Sequence, residues 1–173
     1  VTDRTIELFT ARIDAIPLPN ASVDLVFTSH ALEPNHGQEL KLLSELLRVT
    51  RNQLIMVEPT YELGNRKTRR RIEKLCYIRD LPNHLDKLGY KVDRHEKWPW
   101  IDHPANEAAL IIVSKQSCPP INPNFISPMS RLPMQKRDGY FYCPGDGYAF
   151  PIVEGVPCLV PENGILVSKL DDI

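Results

Sequence analysis

The tightest constraint on this chain is a repeated change of hydrophobic period. Residues 23–28, VDLVFT, form a short apolar, β-branched run, and soon afterwards Leu40, Leu43, Leu46 and Leu47 recur at helical spacing. The first pattern suits a strand covered on both faces, the second a helix with one apolar stripe. A further buried run, QLIMV at 53–57, follows and stops at Glu58-Pro59, because the residue before a proline resists continuation. Strand, helix and strand in this order predict an α/β layered sheet.

The same reasoning extends outwards. Residues 5–13, TIELFTARI, alternate imperfectly and read as a strand, followed by a loop at Pro17, Pro19 and Asn20. Asn35 offers an N-cap with Gln38 as its capping-box partner, and that helix is expected to run to about Thr50. Residues 66–88 read as one helix or as two broken at Pro82, with Gly89 as the cap. Residues 91–98 alternate weakly, and 108–114, AALIIVS, form the last clear strand. The closing pair has no helix between its strands, which predicts an antiparallel hairpin at the edge of the sheet.

Composition sets outer limits. The net charge is −1 with 42% hydrophobic and 25% charged residues, so no global field draws nucleic acid or membrane. No apolar run approaches the roughly 18 residues that span a bilayer. No basic segment followed by an apolar one marks a secretory signal, and a cytoplasmic setting is expected. The four cysteines form no C-x-x-C pair and read as free thiols. The 16 prolines crowd after residue 98, and helical periodicity ends near residue 117. Two domains are expected, 1–116 and 117–173, the second β-rich. Glu154-Gly155 is well suited to a two-residue hairpin turn.

Several elements in order carry a resemblance to a family. Asp14-Ala15, then Ser22-Val23-Asp24-Leu25-Val26, then Ser29-His30-Ala31-Leu32-Glu33 resemble the second half of the cofactor site in class I S-adenosylmethionine-dependent methyltransferases. The resemblance covers residues 5–116 and implies a partial Rossmann-like sheet with S-adenosylmethionine as cofactor. It implies Asp14 and Ala15 at the adenine, and Ser29 and His30 at the methionine end. It also implies a Gly-rich turn upstream of Asp14, and the residues before Asp14 contain no glycine. The chain is therefore expected to carry the C-terminal half of such a core. It is expected to bind the cofactor poorly alone, and to pair through an exposed strand edge as a homo-oligomer. Residues 140–161, with Tyr-x-Cys-Pro, Gly-Tyr-Ala-Phe-Pro-Ile and Glu-Gly-Val-Pro-Cys-Leu-Val-Pro, resemble the small Trm112-like β-domain. Zinc-binding members of that family carry C-P-x-C pairs. Here Ile121 and Asp146 stand at the second positions after Cys118 and Cys143, so no metal site is expected.

The candidate site residues follow the predicted strand ends. His30 is the candidate general base for a hydroxyl acceptor, since an ordinary imidazole titrates near pH 6.5; the alternative is that it packs on the cofactor or caps a turn. Glu33, Glu58, Tyr61 and Glu62 are candidate acceptor contacts or a solvated turn. Arg66, Arg70 and Lys74 share one helical face, able to hold an anionic acceptor or simply to be solvated. Trp98, Trp100, Asp102 and His103 lie in a loop that can wall the acceptor pocket. These features predict methyl transfer to an acceptor, small or macromolecular, that the sequence does not identify. A non-catalytic interaction or activator module is the competing reading.

Overall fold

The computed structural model describes residues 6–100, 104–116 and 118–167. Asp102, His103 and Ser117 lie outside the described residues, as does Thr5, where the first strand was expected to begin. The chain divides into two compact units, Asn20–Ile121 and a second built from Val1–Pro19 with Asn122–Ile173.

The first unit is α/β. β1 (Val23–Ser29) leads through α1 (Glu39–Val49) to β2 (Thr50–Pro59), which lies parallel to it. Two short helices follow, α2 (Arg66–Leu75) and α3 (Leu81–Lys87), then β3 (Arg94–Lys97) and β4 (Ala108–Ser114). The sheet order is β1-β2-β4-β3, with β4 antiparallel to both neighbours. The last strand thus enters between β2 and β3, and the expected antiparallel hairpin closes one edge. Leu43, Leu54, Met56, Ile72, Leu85 and Val113 are fully buried in this core.

Three local expectations needed correction. α1 begins at Gln38 with no side-chain cap, because Gly37 at φ +86° breaks the path from Asn35; Asn35 instead closes a turn, its amide donating to Leu32 O. The long helix divides at Cys76, whose φ of 51° ends α2, while Pro82 sits inside the start of α3, where a missing N–H costs nothing. β1 is covered on one face only, since Leu25 and Phe27 are 49% and 59% exposed.

The second unit is β-rich. β5 (Gln135–Arg137), β6 (Tyr140–Cys143), β7 (Tyr148–Val153) and β8 (Val156–Pro157) follow one another antiparallel, and β9 (Ile165–Leu166) pairs with the start of β7. Glu154 at φ 49° and Gly155 at φ 81° make the two-residue turn between β7 and β8, the geometry that matches strand twist. Phe125, Phe141, Phe150 and Leu159 form the core, with Phe9 packed edge-on against Phe125 at 5.0 Å. Residues 6–13 form no strand of the α/β sheet. Thr10 bridges to Cys158 in this unit, its amide donating to Pro157 O and its carbonyl accepting from Leu159 N.

Candidate functional site at the sheet edge

In the α/β unit the C-terminal ends of β1, β2 and β3 and the start of β4 share one edge. Ser29 pairs with Val57, Pro59 with Ala108, and the Trp98 amide donates to Ala108 O. Open α/β sheets hold ligands at such an edge.

The turn leaving β1 is fixed from β2. His30 adopts φ 52°, a costly conformation for a residue with a side chain, and its amide donates to Val57 O at 2.9 Å. Glu58, 1% exposed, accepts the backbone amides of Ala31 and Leu32, each at 3.2 Å. Burial pushes the Glu58 carboxyl up to about 7, against the pull of the Leu32 and Ala31 amides. The His30 Nδ1 meets the Glu33 carboxylate. A carboxylate only accepts hydrogen bonds, so Nδ1 carries the proton and Nε2 presents a lone pair. The Glu33 carbonyl in turn accepts from Ile78 N.

A cavity of about 270 Å³ opens at this edge, lined by Ser29, His30, Trp98, Trp100 and Asn106 over a floor of Val57 and Ala108. The two indoles pack edge to face with centroids 4.7 Å apart. Among the described residues Asn106 Oδ1 is buried with no hydrogen-bond partner.

Ser29, His30, Glu33 and Glu58 are therefore brought together, with Trp98 and Trp100 as a wall. Glu58 is a support of the turn, not an acceptor contact, because its oxygens face the backbone. Tyr61 donates to Glu73, and its ring lies between the guanidinium groups of Arg69 and Arg79, each 5.6 Å from the centroid. Glu62 accepts from the Asp80 amide. Arg66, Arg70 and Lys74 are exposed on α2, which Asn65 caps by accepting from the Lys67 and Thr68 amides. Sequence reasoning missed Asn106, which no motif marks, and the supporting role of Glu58, whose signal was a carboxylate inside an apolar strand end.

Asp14 and Ala15, expected at the adenine, belong to the other unit. Among the described residues no strand precedes them. Asp14 makes a two-pronged ion pair with Arg12, both contacts at 2.8 Å, and the Ala15 amide donates to Arg12 O. The two groups assigned to adenine are committed within their own turn. Cys143 and Asp146 also lie in this unit, where Asp146 accepts from the Ser127 and Ser130 hydroxyls at 2.6 and 2.5 Å. Burial disfavours the Asp146 charge, but these donors and the Tyr148 amide outweigh it and hold the carboxyl below its usual range. Among the described residues no three metal-binding side chains cluster. Nor is any helix among them long and apolar enough to cross a membrane.

No family model and no curated protein matches the chain. Two solved structures are similar to it. One is magnesium protoporphyrin IX methyltransferase of Synechocystis PCC 6803 with bound SAH, 11% identical, with a TM-score of 0.45 over 61% of this chain and 49% of that one. The other is a SAM-dependent methyltransferase of Aquifex aeolicus, 18% identical, with a TM-score of 0.42 over 62% of this chain and 54% of that one. The chain spans about half the length of each.

Proposed function

We propose that the α/β unit serves methyl transfer from S-adenosylmethionine to a nucleophile held at the sheet edge. The observation that carries this reading is the Ser29-His30-Ala31-Leu32-Glu33 turn. It lies at the ligand-binding end of a parallel strand pair, its backbone is locked by Glu58, and its imidazole is oriented by Glu33. S-adenosylmethionine supplies an electrophilic methyl group on a sulfonium. Ser29 and His30 would hold its methionine end. Because the Asp14 carboxylate and Ala15 amide are already engaged, the reading rests on the β1 turn and not on the adenine pair.

The work left to the protein is orientation and one proton. Holding nucleophile and methyl carbon in line at near-attack distance supplies a large share of such a rate enhancement, and a positioned base adds about 10²–10⁴-fold. The β-rich unit, whose sequence resembles the Trm112-like domain, is proposed as the module for substrate selection or association.

Equilibrium dialysis with radiolabelled S-adenosylmethionine at millimolar concentration tests the reading. Saturable binding that disappears in Ser29→Trp, which fills the edge, supports it. No saturable binding, or binding untouched by that substitution, overturns it.

A further inference from the structure

We propose that the 270 Å³ cavity at the sheet edge takes an uncharged, single-ring aromatic acceptor whose nucleophile is a hydroxyl. This deepens the methyl-transfer reading and rests on it. Four observations converge on that class. Trp100 is 70% exposed and stands against Trp98 at 65°, leaving indole surface on which a flat ring stacks favourably. Among the described residues no lysine or arginine lines the cavity, and Glu33 and Glu58 stand at the turn beside it, a setting that disfavours a carboxylate or phosphate. The volume of about 270 Å³ lies just below the usual range of ligand cavities, about 300–1,000 Å³, which suits a small, single-ring ligand. Among the described residues Asn106 Oδ1 is buried without a donor, and a second, hydrogen-donating substituent on the ring satisfies it.

The hydroxyl follows from His30. Glu33 holds the proton on Nδ1, so in the neutral imidazole Nε2 is the basic atom of a residue that lines the cavity. As the hydroxyl oxygen bonds to the methyl carbon, its proton passes to His30 Nε2. The carbon–sulfur bond of the sulfonium breaks, and its electron pair stays on sulfur as a thioether. The imidazolium then releases the proton to solvent. A neutral aromatic amine attacks through its own lone pair and loses its proton only afterwards, so it makes less use of the His30–Glu33 pair than a hydroxyl does.

The protein contains two tryptophans, and both line this cavity, so intrinsic fluorescence excited at about 295 nm reports occupancy with no cofactor present. We expect 4-(hydroxymethyl)phenol, whose second hydroxyl can donate to Asn106, to cause a saturable change, with cyclohexanol and benzoate at least roughly tenfold weaker. Asn106→Leu, which keeps both indoles, should weaken 4-(hydroxymethyl)phenol about fivefold, the value of one net hydrogen bond. A linear, unsaturable change, equal binding of cyclohexanol, or stronger binding of benzoate would overturn the proposal, as would unchanged affinity in Asn106→Leu. Because the dialysis measurement reads the methyl donor and this titration reads the acceptor, either can fail alone.

Discussion

β2 is held on both sides and β1 on one. β2 pairs in parallel with β1 and antiparallel with β4, and its Leu54 and Met56 are fully buried. Among the described residues β1 pairs with β2 alone, and about half the surface of Leu25 and Phe27 is exposed. Yet the residues with chemistry leave from β1, and β2 sends supports across to them: Val57 O to the His30 amide and Glu58 to the Ala31 and Leu32 amides. The central strand thus provides stability and the edge strand carries the site. The edge strand stays in register at its functional end through hydrogen bonds, not through burial.

Three substitutions break or sharpen that comparison. Met56→Ala should cost about 2–5 kcal/mol, as expected for a truncated core side chain, and urea denaturation reads it directly. Glu58 gives the next largest effect. Its folded pKa near 7 lies above the ordinary 4.5. Its contribution is therefore fully present below pH 4.5 and is lost as the pH rises through 7, by about 3 kcal/mol at most. Glu58→Gln removes this slope, at the fixed loss of one amide hydrogen bond. Unfolding free energies measured from pH 4.5 to 8 should diverge between the two proteins, and parallel curves would remove Glu58 as a buried titrating group. Smallest is Phe27→Thr on the open face of β1, expected within about 0.5 kcal/mol of the parent. Light scattering should fall with it if the exposed strand drives self-association. A loss comparable to that of Met56→Ala would show that the two strands are equally supported.

Much of the order of elements was legible because it depends on local chemistry. The strand at 108–114 was read to the residue, and the Glu154-Gly155 turn follows from the preference of that geometry for positive φ. What failed was set by partners distant in sequence. Residues 23–28 and 53–57 carry equally apolar runs, and nothing in either states which one will have neighbours on both sides. The alternation in residues 6–13 is real, but its partner is Cys158, far along the chain. Two misreadings had visible local signals. Gly37 stood between Asn35 and the leucine stripe, and Arg12 stood two residues from Asp14, within reach of its carboxylate. At the site, Ser29, His30 and Glu33 were found from their place after a strand. Asn106 became visible only once the β3–β4 hairpin had folded back beside β2.

The route of the chain has a consequence for synthesis. The α/β unit is an insertion: the second unit begins before it and is completed after it. Arg12 must wait for Glu162, 150 positions later in the chain, before their ion pair can form. At about 5–20 residues per second on the ribosome, that interval is roughly 8–30 s. During it the N-terminal arm, with Phe9 lacking its aromatic partner Phe125, is a nascent segment whose docking surface has not yet been made. The β-rich unit therefore cannot assemble vectorially from its N-terminus, and its completion must follow emergence of the segment around Leu159.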